Sequence, residues 1–219
     1  YARLTAELPD RKDTQGLTFH YLMPDVDGHN RVFMACQECG HRPVLVADAG
    51  FMYAAKMSGY AADYDLFTPD AGELAFLADE KAPHPFYARG FLLDSHDNVP
   101  GLLARASEHQ NAARFMIIKG ARDAISEGGR IIHWVDEPQT PAMEAIGGTG
   151  DMVTGIVTGL LAGGMDLPQA ALTAARAARY AGSLAAPTPA TQIAEILPFV
   201  PQALRKALAQ NGSGENGQK

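Results

Sequence analysis

Apolar and polar positions fall into two kinds of block along this chain. Short runs dense in apolar residues at 17–23, 43–47, 64–68 and 114–118 have the length and continuity of strands buried on both faces. Between and after them, residues 31–39, 73–79 and 99–110 repeat their apolar positions every three or four residues, which predicts helices. Strands that alternate with helices predict a mostly parallel sheet with crossover connections. Residues 124–126 and 130–135, separated by Gly128-Gly129, predict a hairpin appended to that sheet. From Thr149 onward the pattern is helical: residues 151–162, then about 168–186, then 191–208 interrupted by Pro198 and Pro201. Residues 211–219 are polar and glycine-rich, which predicts a disordered tail. No repeat or long linker divides the rest, so a single α/β domain is expected over 1–210.

Composition narrows the function classes. Apolar residues at 47% and charged residues at 20% describe an ordinary folded chain, with no run long enough to cross a bilayer. Residues 1–7 lack the apolar centre of a signal peptide, so a cytoplasmic location is expected and a membrane partner is not. A net charge of -7 and a pI near 5.4 argue against a nucleic-acid partner. The only cysteines form Cys36-Gln37-Glu38-Cys39, and without a second pair they predict the last turn of a helix closed by Gly40, not a zinc site. His84, His96, His109 and His133 are scattered, and no metal-ligating set is expected.

The most informative segment is Gly147-Gly148-Thr149-Gly150-Asp151, which runs into apolar positions 152, 153, 156, 157, 160 and 161. A glycine turn that opens a helix presents backbone N–H groups where the helix dipole favours an anion. An acid at the same turn would repel that anion. Asp151 makes chemical sense there as a base on a hydroxyl that receives a phosphoryl group. The plainer alternative is that Asp151 or Thr149 caps the helix. Glycines 155, 159 and 163 fall four apart, which predicts one helix face pressed tightly against a neighbour.

Three further segments stand at strand ends, where open α/β sheets gather ligands. Lys119-Gly120-Ala121-Arg122-Asp123 offers two cations beside a glycine, suited either to phosphate oxygens or to solvent. Asp48 could meet a substrate or a magnesium-bound water, or cap the next helix. Thr68-Pro69-Asp70-Ala71-Gly72-Glu73 places Asp70 three residues before Glu73, as in a capping box.

Taken in order, these segments resemble the ribokinase-like superfamily, and within it the ADP- or ATP-dependent NAD(P)H-hydrate dehydratases. Val46-Ala47-Asp48-Ala49 is similar to the family's Asp-Ala-Asp strand end, and residues 68–73 to its Thr-Pro-His-Pro-Gly-Glu. Residues 119–123 are similar to Lys-Gly-Ala-Arg-Thr, and residues 148–155 match Gly-Thr-Gly-Asp-Val-Leu-Thr-Gly closely. The resemblance runs from about residue 17 to 208. It implies a three-layer α/β/α fold with a mostly parallel central sheet, here without the family's usual N-terminal segment. It also implies ADP or ATP with Mg2+, and a hydrated NADH or NADPH whose hydroxyl is phosphorylated before phosphate is lost.

Carried over by position, Asp151 is the base and Gly148, Thr149 and Gly150 form the anion hole. Lys119, Gly120, Ala121, Arg122, Asp123 and Gly150 contact the nucleotide; Asp48, Asp70 and Asp151 face the substrate. Departures from the pattern are Asp70 in place of a histidine, the scarcity of glycine over residues 23–28, and Glu144 and Ile146 in a stretch of small residues. They leave two alternatives open: an ATP-dependent kinase of a small alcohol or sugar, or a catalytically silent nucleotide-binding protein. A homo-oligomer is expected to cover the sheet.

Overall fold

The computed structural model describes residues 2–10, 14–21, 25–81 and 98–214. It packs as two compact units, residues 1–116 with 126–131 and residues 117–125 with 132–219. The strands are β1 (Gly16–Tyr21), β2 (Val44–Ala49), β3 (Leu66–Phe67), β4 (Phe115–Ile118), β5 (Asp123–Glu127) and β6 (Arg130–Val135). They form one six-stranded sheet in the order β1-β2-β3-β4-β5-β6. The first three pairs are parallel, with Val46 beside Thr18 and Leu66, and Phe67 beside Met116. Leu45, Val46, Ala47, Leu66, Phe67, Met116 and Ile117 are at most 1% exposed, as strands covered on both faces require.

In the first unit, helices α1 (Ala2–Glu7), α2 (Val26–Gln37), α3 (Gly50–Met57), α4 (Ala71–Ala78) and α5 (Val99–Glu108) accompany strands β1 to β3. Asp25 caps α2, its carboxylate accepting from the Gly28 N–H at 2.9 Å. Leu22, Met23 and Pro24, which include the end of the predicted strand 17–23 and the start of the glycine-poor stretch 23–28, lie outside the described residues. So do His84 and His96. The core here is aromatic: Phe33 stacks on Tyr60 at 4.4 Å, and buried His29 accepts or donates to the Tyr64 hydroxyl at 3.0 Å. Burial pushes His29 below the usual imidazole range, partly opposed by its hydrogen bond to Asn30.

Near the other end of the core, buried Lys56 donates to the carbonyls of Phe76 and Asp79 and lies over the Phe76 ring. Its ammonium thereby satisfies the end of α4. Burial holds its pKa down to about 8. Cys36 lies in the last turn of α2, which ends at Gln37 with Glu38 as its C-cap, so Cys39 and the expected closing Gly40 fall beyond the helix. Cys36 is 1% exposed, its thiol pushed up to about 12 by burial, and the Cys39 thiol donates to the Ala35 carbonyl.

In the second unit, α6 (Thr149–Ala162), α7 (Leu167–Ala185), α8 (Ile193–Ile196) and α9 (Val200–Gly214) follow one another. Pro198 falls in a 3-10 turn, Leu197–Phe199, and Pro201 in the first turn of α9, where a missing N–H costs nothing. Helix α9 reaches Gly214, four residues into the expected tail; residues 215–219 lie outside the described residues. Helix α7 is packed through alanine, with Ala170, Ala171, Ala174, Ala175, Ala177 and Ala181 all at 0% exposure. The β5–β6 turn places Gly128 and Gly129 at φ of +55 and +79, a conformation that makes a two-residue hairpin.

Candidate active site

Helix α6 begins directly at the glycine turn. Gly148 is its N-cap, with φ of +92, a left-handed conformation that a side chain would strain. As glycine it has no side chain with which to cap, and the first helical bond runs from the Met152 N–H to the Gly148 carbonyl at 3.0 Å. The N–H groups of residues 149–151 therefore stand at the positive end of the helix, ahead of its first intrahelical bond. The Thr149 hydroxyl donates backward to the Ile146 carbonyl at 3.1 Å, so it fixes the approach to the turn and does not cap the helix. Asp151 is exposed in the first helical turn.

Within the same unit, β4 ends in the turn that carries Lys119. Its ammonium lies 3.0 Å from the point where a Cβ on Gly150 would stand, so the glycine leaves room for the cation at the helix start. The structure thus brings Lys119 together with Gly148, Thr149, Gly150 and Asp151. Gly120, Ala121 and Arg122 are exposed on that turn. The Arg122 guanidinium lies 4.5 Å over the Trp134 ring and 3.5 Å from the Asp136 carboxylate.

Asp123 faces elsewhere. Its carboxylate is buried, accepts the Gly120 N–H at 3.0 Å and pairs with Arg179 Nε at 2.8 Å. Burial pushes its carboxyl above the usual range, while Arg179 and the Gly120 N–H oppose that rise. It braces the turn from below. Arg179 is not among the residues the sequence singles out, although an arginine one residue after buried Ala178 in an alanine-packed helix face is a legible oddity.

Asp48 and Asp70 belong to the first unit. Asp48 is 2% exposed near the end of β2, accepts the Ala49 N–H at 3.0 Å, and has His20 Nε2 at 4.0 Å. Ala49 next to it adopts φ of +50, an uncommon conformation for a non-glycine residue, at the point where strand turns into α3 without a loop. Asp70 forms the capping box expected of it: its carboxylate accepts the Glu73 N–H, and the Glu73 carboxylate accepts the Asp70 N–H, both at 2.7 Å.

Glycines 155 and 159 correct the packing expectation. A Cβ at either would meet nothing within 4 Å, so no neighbour within the described residues presses on this face. They line a groove of about 800 Å³ with Gly148, Asp151, Ile193, Leu197 and Leu204. Glu144 is exposed and Ile146 is buried, so the bulkier residues of that stretch are accommodated by folding Ile146 into the core.

These features find their match in known proteins. Residues 29–198, most of the chain, fit the NAD(P)H-hydrate dehydratase family of carbohydrate-kinase type. The chain belongs to that family. It is 39% identical over 197 residues to an uncharacterised protein of Methanocaldococcus jannaschii, covering 90% of this chain and 82% of that one. To the ADP-dependent (S)-NAD(P)H-hydrate dehydratase of Cenarchaeum symbiosum it is 31% identical over 138 residues, 63% of this chain and 42% of that enzyme. This dehydratase-family chain therefore spans less than half of that curated relative.

Among solved structures, a ribokinase-like superfamily protein of Enterococcus faecalis superposes with a TM-score of 0.64 at 18% identity, covering 94% of this chain and 67% of that one. Phosphofructokinase-2 of Escherichia coli gives 0.61 at 15% identity, covering 92% and 61%. At such identities the likeness establishes the ribokinase-like α/β fold. Among the described residues no helix is long and apolar enough to cross a membrane.

Proposed function

We propose that this member of the family is a nucleotide-dependent dehydratase of hydrated NADH or NADPH, with ADP or ATP as phosphoryl donor. The observation that carries the reading is the glycine turn of α6 with Lys119 beside it and Asp151 in its first turn. That set offers donors and positive charge for a phosphoryl group and a carboxylate for the attacking hydroxyl. Asp151 takes the hydroxyl proton as the oxygen bonds to the terminal phosphorus, and the nucleotide departs shorter by one phosphate. The N–H groups of residues 149–151 and the Lys119 ammonium face the charge on the transferring group. Phosphate then leaves the ring carbon as its neighbour gives up a proton, and the nicotinamide double bond returns.

The carboxylate of the turn suits Mg2+ that arrives on phosphates. When bound, Mg2+ would screen phosphate charge; the residues of the turn would hold the phosphates themselves. Lys119 and the backbone of residues 121–122 are the nucleotide side of this reading. Asp70 is better explained as the cap of α4.

Asp151→Asn tests the assignment of the base. Turnover of hydrated NADH is expected to fall at least ~100-fold while ADP binding, followed by calorimetry, stays within a few-fold. Full turnover by the variant would remove Asp151 from the chemistry. A stable phosphate ester as product would favour a small-alcohol kinase instead. A homo-oligomer belongs to the same proposal, supported by Ile132 and Trp134, which are 40% and 39% exposed on the edge strand β6. Sedimentation that shows monomer alone at working concentration would end it.

A further inference from the structure

The turn that carries Lys119 is held from one side by a single residue. The Arg179 guanidinium donates from Nη2 to the carbonyls of Gly120 at 3.0 Å and Ala121 at 2.9 Å. Its Nε donates to the Asp123 carboxylate at 2.8 Å, and Nη1 to the Asp136 carbonyl at 3.3 Å. Asp123 closes the ring by accepting the Gly120 N–H at 3.0 Å through its other oxygen. The arginine and aspartate side chains are 10% and 11% exposed. The fork geometry of a guanidinium suits this pattern, since three carbonyls and a carboxylate are met from three separate nitrogens, whereas a lysine ammonium carries three donors on one.

The two bonded carbonyls determine where the following N–H groups point. In a trans peptide the carbonyl and the next residue's N–H face opposite ways. The cis peptide among the described residues, Glu137-Pro138, lies outside this turn. With the Gly120 and Ala121 carbonyls turned onto Arg179, the N–H groups of Ala121 and Arg122 are turned away from it. Two successive N–H groups aimed the same way make an anion-binding concavity, next to a lysine already placed at the helix start.

We infer that Arg179 is a positioning residue for nucleotide binding: it grips the back of the turn so that the backbone of residues 121–122 and the Lys119 ammonium meet the donor's phosphates. This rests on the proposed use of a nucleotide, and it assigns to α7 a role in donor affinity that is separate from the chemistry at Asp151. Arg179 touches no ligand itself. Its loss should therefore act on nucleotide binding and leave the chemical step of the saturated enzyme largely intact.

The test is calorimetric titration of ADP with magnesium into the wild type, Arg179→Gln, and the pair Asp123→Asn with Arg179→Gln. Melting is followed on the same samples. Arg179→Gln strands a buried carboxylate and is expected to melt early, whereas the neutral pair removes both charges and should recover most of the stability. Both are expected to bind ADP at least tenfold more weakly than the wild type, because glutamine cannot hold two carbonyls and the aspartate position at once.

Recovery of both stability and affinity in the pair would show that Arg179 only neutralises Asp123, and would overturn the inference. So would wild-type affinity in a folded Arg179→Gln protein. If Arg179→Gln fails to fold, the pair alone decides. A wild type that binds ADP but turns over no hydrate would defeat the dehydratase reading while leaving the role of Arg179 standing. A folded wild type that binds no ADP would overturn both.

Discussion

Two glycines of the anion turn are expected to respond to the same substitution in opposite ways. At Gly148, alanine would be held at φ of +92, and its Cβ would stand 3.1 Å from Ile193 Cγ2 and 3.3 Å from Ile193 Cβ. The left-handed backbone alone costs about 1–2 kcal/mol. Ile193 begins α8 and must give by a few tenths of an ångström, so Gly148→Ala should destabilise by ~1–3 kcal/mol in total. At Gly150 the φ is not positive, and the three atoms nearest the added Cβ all belong to the far end of Lys119: Nζ at 3.0 Å, Cε at 3.7 Å and Cδ at 3.8 Å. A flexible side chain can move aside. Gly150→Ala is therefore expected to keep the protein's stability or raise it by about 0.4–1 kcal/mol, through reduced freedom of the unfolded chain.

The displaced ammonium is what the second variant loses. A hydrogen bond to a charged group contributes about 1.5–3 kcal/mol, so ADP affinity should fall roughly 10- to 100-fold in Gly150→Ala. Urea unfolding of both variants, with calorimetric ADP titration, measures the two effects independently. An unfolding midpoint for Gly150→Ala as low as that of Gly148→Ala would refute the strain argument. Undiminished ADP affinity in Gly150→Ala would refute the placing of Lys119 on the nucleotide.

Other outcomes follow from the same structure. Asp70→Ala should cost about 1 kcal/mol of stability through the lost cap, with turnover of hydrated NADH unchanged; a turnover defect larger than the stability loss explains would return Asp70 to the substrate side. Lys56 has its folded pKa held at about 8 by burial, below the ordinary value near 10.4, so from pH 8 upward the unfolded chain keeps a proton that the native state has released. Its contribution therefore grows more favourable from pH 8 to about pH 10. Wild-type stability minus that of Lys56→Met should show this rise, and a flat difference would count against it. His29, its pKa lowered by burial, has the acid-side counterpart: unfolded imidazole gains a proton below about pH 6.5 that the native state resists. Stability should fall with pH there, more steeply in the wild type than in His29→Phe, as denaturant titrations at stepped pH will show.

Legibility in the sequence tracks how local each signal is. The glycine turn, the Asp70–Glu73 box and the Gly128-Gly129 hairpin are each written within a few adjacent residues, and each is found where the pattern puts it. Helix α3 carries no such signal, because it starts at Gly50 with no capping side chain, straight from the strand through Ala49 in an uncommon conformation. Strand β3 is only Leu66–Phe67, although its backbone bonds continue on each side, from the Asp65 N–H to the Leu45 carbonyl at 3.0 Å and from the Thr68 N–H to the Ala47 carbonyl at 3.2 Å. The direction of Asp123 is beyond reach of spacing, since it is set by an arginine 56 residues away. Glycines four apart signal a close approach to α6, but whether the approaching surface belongs to this chain is a tertiary question, and Gly155 and Gly159 face a groove.

The central claim is tested most directly by supplying the purified protein with hydrated NADH, magnesium and either ADP or ATP, and following the absorbance of reduced nicotinamide together with phosphate release. The account predicts that absorbance returns with one phosphate per NADH restored, that omission of nucleotide abolishes it, and that Asp151→Asn abolishes it as well. A folded sample that binds nucleotide yet restores no NADH, or restores it equally without nucleotide, would contradict the account.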